Sequence, residues 1–356
     1  SDGITFTVLA LFAFLIASVF TEHAVQVEPT RWFDTEVASV DGELPSEAND
    51  DSPLPRVPGF LPFYRFAGVP VAGAFADRAE AAAFASQGVG TGIKVVAVIA
   101  HFAIIIGLIV VGTWHFDNFQ GGIAAAALYL LLPYTAQFTV RLDHILPGAF
   151  LVWAVATYRR PVLSGVLIGA SLIVFYPVAL IPLWAGFYRR RGLFRFLFGV
   201  AAAFGVLVLL QWALWGGGPL FREGVAALLG RGLLSTGGLD GFWEYHSPAL
   251  RIPILATLVV LVISLGLWPL EKDFGNLLAG TTSILIGCQF VHGYQGGIYM
   301  AWFLPSLVLV IFRPTLIDRT ADRTVPERWF APIPEGRDPI LWLRQVLLRG
   351  RKKRNN

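Results

Sequence analysis

The stretch RRPVLSGVLIGASLIVFYPVALIPLWAGFYRRR, residues 159–191, decides how this chain folds. Two arginine clusters, Arg159-Arg160 and Arg189-Arg190-Arg191, bracket one apolar run that Pro177 and Pro182 interrupt. Lys and Arg beside membrane helices collect on the cytoplasmic side. A single crossing would put one cluster on the wrong face, whereas two shorter helices meeting near Tyr176-Pro177 keep both on the same one. Proline favours the break, because it removes a helix hydrogen bond and disfavours the helical conformation in the residue before it. The run is therefore expected to be a hairpin. Its Gly165-x-x-x-Gly169 spacing suits close contact between helices in lipid.

The surrounding chain has the same character. Of its 356 residues 55% are hydrophobic and 14% charged, against roughly 25% charged in soluble domains. Mean hydropathy is +0.64. Such a chain cannot cover itself with polar groups, which excludes an ordinary cytosolic domain and a disordered chain. The single cysteine, Cys288, excludes a disulfide scaffold. A hydrocarbon core about 30 Å thick needs roughly 20 apolar helical residues. Runs at Ile4–Phe20, Val95–Trp114, Gln120–Val140, Ile145–Tyr158, Phe196–Trp215, Ile252–Leu270, Gly275–Val291 and Gly296–Phe312 meet or approach that length. They are apolar on every face, without period-2 alternation, so helices and not barrel strands are indicated. The expected fold is all-α: a polytopic integral membrane helix bundle of about nine or ten transmembrane segments.

Charge sets the expected topology. The tail Arg313–Asn356 holds eleven basic and five acidic side chains, and Thr21–Lys94 holds five basic and eleven acidic ones. With the tail cytoplasmic, Glu271–Asp273, Arg189–Arg195, Arg159-Arg160 and Asp117-Asn118 fall inside; the loop 216–251 and the turn at Arg141–His144 fall outside. Arg141 and Lys94 run against the rule. Residues 1–20 are expected to be a first transmembrane helix, 21–94 an acidic, Pro-rich outer region, 95–312 the bundle, and 313–356 a basic cytoplasmic tail. The chain opens on Ser1, as a fragment or processed product would. Asp2 stands where a signal peptide has basic residues, so the first helix is read as retained. Residues 340–349 read as a basic amphipathic helix on the inner leaflet. The bacterial inner (plasma) membrane is the expected location.

Ionisable groups at the edge of hydrocarbon are costly and tend to be functional. Asp34 and Glu36, flanked by Trp32 and Phe33, can serve as a general base for a hydroxyl or hold a divalent cation; the plain alternative is a solvated acidic loop. Arg141, Asp143 and His144 can bind an anionic headgroup or move a proton, or merely cap a helix. Trp243, Glu244, Tyr245, His246 and Arg251 share an outer loop. Aromatics beside a carboxylate suit sugar stacking and Arg suits phosphate, while an interfacial aromatic belt would look the same. His292 and Tyr294 sit in a glycine-rich outer turn that can equally be a connector. Gly88–Lys94 lacks the Gly-Lys-Ser/Thr ending of a phosphate loop. No Cys/His spacing points to zinc. The Arg189 cluster reads as a topology signal, so no nucleic-acid partner is expected.

Several pieces together resemble a known family. Tyr129-Leu-Leu-Leu-Pro133, Arg141-Leu-Asp143-His144, Arg159 through Gly169, Tyr176-Pro177, Pro182 and Arg189-Arg190-Arg191, with the late Tyr299-Met-Ala-Trp302-Phe-Leu-Pro305, are similar to GT-C-type polytopic glycosyltransferases, above all the family 87 and mannosyltransferase-like proteins. The resemblance covers about a quarter of the chain. It implies an enzyme that takes a sugar from a polyprenyl-phosphate donor at the outer face, with inversion at the anomeric carbon. An acidic residue or pair in the first outer loop would deprotonate the acceptor, which falls on Asp34 with Glu36 as helper or cation ligand. Arg141, His144 or Arg251 would hold the donor phosphate, and Trp243 and Tyr245 would stack on sugar. This chain departs from the pattern in three ways. Thr35 separates the acids, Val174-Phe175 replaces a Lys before the Tyr-Pro step, and the first outer stretch is long and Pro-rich. The competing expectation is a non-catalytic lipid or saccharide transporter or flippase, which calls for charged groups at mid-membrane depth.

Overall fold

The chain between Arg159 and Arg191 does turn back on itself. The Tyr188 hydroxyl donates to the Tyr158 carbonyl, and the Tyr158 and Phe187 rings lie edge to face at 6.0 Å. The residues just inside each arginine cluster therefore touch, and both clusters occupy one end of the molecule. This computed structural model describes residues 78–132, 135, 142–230, 243, 245–269, 272–291 and 302–314. Among the described residues every regular element is helical: α1 (Arg78–Trp114), α2 (Phe119–Leu131), α3 (Leu142–Ala156), α4 (Pro161–Ser171), α5 (Ile181–Tyr188), α6 (Leu193–Trp215), α7 (Pro219–Leu228), α8 (Arg251–Leu267), α9 (Phe274–Val291) and α10 (Leu304–Phe312). A 3₁₀ turn at Tyr176–Leu180 leads into α5.

Three stretches are long and apolar enough to cross a membrane: Val95–Trp114, Leu193–Ala213 and Phe274–Val291. Their environment fits that reading. Phe102, Ile106, Phe198, Val206, Leu209 and Phe290 point outward and are exposed, although all are large and apolar; outward apolar faces of this extent are what lipid contact requires. The chain reads as a membrane protein. The buried core runs through all the long helices, from Ile104 and Leu108 of α1 to Leu277, Leu278 and Leu285 of α9 and Val308 of α10.

Three expected boundaries shift. α1 begins at Arg78, inside the stretch 21–94 read as outer loop. Ala79 and Ala81–Ala83 are the strongest helix formers and outweigh the glycines that follow. α2 ends at Leu131, not near Val140, because the chain is extended at Leu132 ahead of Pro133. α10 starts only at Leu304, with Pro305 in the first turn where its missing N–H costs nothing. The stretches Ile4–Phe20 and 313–356 lie outside the described residues, apart from Arg313 and Pro314.

Helix α4 has 11 residues, about 16 Å at 1.5 Å per residue, roughly half the hydrocarbon thickness. It runs parallel to α6 in the most extensive helix pairing of the fold. The seam is made of small residues. A Cβ at Gly165 would collide with the Phe196 carbonyl, and one at Gly169 would stand 2.7 Å from the Val200 carbonyl. From the other side, a Cβ at Gly199 would collide with the Val162 carbonyl. In lipid, with no hydrophobic drive between helices, such close backbone approach is a main source of association.

Gly165→Val should therefore push α4 off α6 and cost at least about 1–3 kcal/mol, the usual range for overpacking against a neighbour that cannot yield. Gly205→Ala, on α6 but with nothing within 4 Å of the added Cβ, should be neutral or mildly stabilising. Unfolding of the detergent-solubilised variants would distinguish the two; equal effects would remove the seam argument.

Candidate functional site

The two ends of the bundle are built differently. At the arginine end, aromatic rings close the structure. His115, after α1, donates Nε2–H to the Ala156 carbonyl at 2.7 Å, and its ring meets Tyr158 edge to face at 4.8 Å. Tyr158 stacks on Phe274 at 4.3 Å. Arg191 Nη1 donates to the Lys272 carbonyl at 3.2 Å, and Arg313 Nη1 to the Gly275 carbonyl at 2.9 Å. Lys272 Nζ turns inward and donates to the Gly266 and Pro269 carbonyls at 3.0 and 2.8 Å, so it caps the C-terminus of α8. Burial, and secondarily the Arg189 guanidinium, lowers the Lys272 ammonium to about 8.

The opposite end carries the sequence candidates that fall among the described residues. α3 descends from Leu142 to Ala156, which His115 ties to the arginine end. Asp143 and His144 accordingly lie in the first turn of α3 at the far end. α8 runs from Arg251 down to the Lys272 cap, which places Arg251 at the far end as well. There Arg251 is 2% exposed. Its Nε and Nη2 both donate to the Val291 carbonyl, at 3.3 and 3.0 Å. Trp243 Nε1 donates to the neighbouring Phe290 carbonyl at 3.1 Å, and the guanidinium carbon sits 6.0 Å from the centre of the Trp243 ring. These are C-terminal carbonyls of α9, which have no helical partner and sit at the negative end of the helix dipole.

This clasp joins two motifs that sequence treated separately. The loop bearing Trp243 and Arg251 is fastened to the last turn of α9, directly before His292. Tyr245 and His246 are exposed beside it. Asp34, Glu36, Arg141, Glu244, His292 and Tyr294 lie outside the described residues.

Two features were not singled out as chemistry. Tyr176, at the hairpin tip, packs on Trp302 with centroids 5.3 Å apart, and the Cys288 thiol approaches the Tyr176 carbonyl at 3.9 Å. The aromatic pair thus floors the far half. A tyrosine directly before a mid-run proline was the available signal. His101, buried in α1, pairs Nδ1 with the Tyr129 hydroxyl at 2.9 Å, and Thr135 donates to the Tyr129 carbonyl at 2.6 Å. A lone histidine inside an apolar span is such a signal too. Among the described residues no group of three or more His, Cys, Asp or Glu side chains is placed to hold a metal.

No family model matches this chain, and neither does any curated protein or solved structure.

Arg251→Ala should cost about 1.5–3 kcal/mol, the range for hydrogen bonds to a charged group, because it strips two donors from the α9 terminus. Arg251→Lys should recover only part, lacking the guanidinium fork; thermal unfolding in detergent reads both. At the other end, Lys272 has a folded value near 8 against an ordinary 10.5. Between those values the unfolded chain keeps a proton that the folded chain has released, so stability rises with pH across that window. Lys272→Met should flatten the rise, which unfolding of both proteins from pH 7.5 to 10.5 would reveal.

Proposed function

We propose that this chain is a polytopic membrane glycosyltransferase of GT-C type, transferring a sugar from a polyprenyl-phosphate donor to an acceptor hydroxyl at the far end of the bundle. The arginine end then faces the cytoplasm and the far end the outer side of the bacterial inner membrane. The observation that carries the reading is the segregation of the two ends. The arginine clusters at 159–160 and 189–195, Lys272 and Asp273 lie at one end, while the first turn of α3 with Asp143 and His144 shares the other with the Trp243–Arg251 clasp, Tyr245 and His246.

In this reading Asp34 takes the proton of the acceptor hydroxyl. The acceptor oxygen forms a bond to the anomeric carbon as the bond from that carbon to the phosphate oxygen breaks, with the electron pair leaving on the lipid phosphate. Glu36 assists the base or holds a divalent cation. A fixed positive charge stabilises the departing phosphate, a role for Arg141 and His144, since Arg251 already holds the α9 terminus. Tyr245 is the exposed aromatic free to stack on a sugar, and Trp243 braces the loop from which it projects.

Asp34→Ala with Glu36→Ala should reduce sugar transfer from a polyprenyl-phosphate donor by at least about a hundredfold, the low end of what a general base contributes. The assay uses purified full chain in liposomes with radiolabelled donor. Unchanged transfer would defeat the assignment of the base. Donor translocation without any transfer would favour a flippase instead.

A further inference from the structure

The arginine end concentrates positive charge on three neighbouring helices. Arg159 and Arg160 precede α4, Arg189 and Arg190 follow α5, and Arg195 lies in the first turn of α6; all five side chains are exposed. No Asp or Glu occurs between Asp143 and Glu223, so α4, α5 and α6 supply no carboxylate at this end. The described acids on neighbouring elements are Asp117 and Asp273, and Asp273 accepts from the Asn276 amide at 2.6 Å. Arg159 is engaged with Tyr158, donating Nε–H to its hydroxyl at 3.3 Å. Arg191 is half-buried on the Lys272 carbonyl.

Arg160 and Arg195 flank the glycine seam. Its register is fixed, because Gly199 backs onto the Val162 carbonyl and Gly165 onto the Phe196 carbonyl. Arg160 stands two residues before Val162, and Arg195 one before Phe196, so both guanidinium groups spring from the same edge of one rigid helix pair. Just past Arg160 on α4, Val162 and Leu163 are exposed, while Phe194 and Phe198 are exposed on the side of α6 turned away from Phe196 and the seam. Guanidinium at the edge and apolar side chains continuing away from it complement a molecule with an anionic head and a hydrocarbon body. Arginine forks match phosphate geometry. A soluble phosphate would use the arginines and leave the apolar strip uncovered.

We propose that the arginine-end mouth of the α4–α6 seam is a binding site for an anionic phospholipid, its phosphate on Arg160 and Arg195 and its acyl chains along Val162 and Leu163. The site is independent of sugar chemistry. It requires only that this end of the chain meet a lipid headgroup layer.

The test is native mass spectrometry of the full chain released from detergent with equal amounts of phosphatidylglycerol and phosphatidylcholine of matched chains. The wild type should retain phosphatidylglycerol preferentially. Arg160→Gln with Arg195→Gln should cut that preference by about tenfold or more, since each basic side chain near an anionic headgroup contributes severalfold. Arg160→Lys with Arg195→Lys should keep an intermediate preference, and Arg222→Gln, an exposed arginine on α7, should keep all of it. Equal retention of the two lipids by the wild type would overturn the proposal. So would an undiminished preference in the double glutamine variant, or displacement of the lipid by millimolar inorganic phosphate.

Discussion

A helix that stops part-way through an apolar layer must hide its end, and this constraint shapes the rest of the fold. In hydrocarbon an unsatisfied backbone group costs several kcal/mol. α4 ends at Ser171, and the turn after it satisfies itself: the amides of Leu172, Ile173 and Val174 bond back to the carbonyls of Gly169, Ala170 and Ser171 at 3.2–3.3 Å. Those three side chains are buried in turn. Cover comes from α9, where Cys288 approaches the Tyr176 carbonyl, and from the residues after α7, where a Cβ on Gly230 would press into the Phe175 ring at 2.7 Å. Gly230 has φ +85°, a conformation in which glycine is nearly free of strain. Without that cover the tip would be an open end in lipid, and the two arginine clusters would lose the reason to share a side.

From this the asymmetry of the two ends follows. Because α4 starts and α5 finishes at the arginine end, that end is crowded, and it is filled by His115, Tyr158, Phe187, Tyr188 and Phe274. Among the described residues the far half is marked instead by the Tyr176–Trp302 pair and by the Arg251–Trp243 clasp on the end of α9.

Much of this was legible before any coordinates. The hairpin followed from two arginine clusters and one proline pair, and the helix pairing from Gly165 and Gly169. Both are local signals with a physical cause, and both hold. Boundaries were less legible. Gly88–Gly92 fall in the stretch read as an outer region, yet they lie within α1 after a run of alanines, since propensity sums over a window. The candidate residues that are described share one end, but their arrangement was not legible. That Trp243 and Arg251 meet the end of α9 depends on residues some forty positions apart in sequence, which no periodicity encodes. Gly199 was likewise passed over, because its role appears only when α4 lies against it.

Arginine appears at both ends, and comparing its two settings narrows what each can do. At the arginine end Arg160 and Arg195 are exposed, on helices with no acid of their own, and their charge is available to a ligand. Arg251 at the far end is nearly sealed from solvent, with two of its donors on one carbonyl and its plane near an aromatic face. A buried guanidinium is tolerable only when hydrogen-bonded in this way, and moving it onto a donor phosphate would uncover the α9 terminus. If the far end handles a lipid phosphate, the positive charge for it has to come from elsewhere in the same half. Arg141, two residues ahead of Asp143 in sequence, is the group to which the family resemblance gives that task, with His144 beside it.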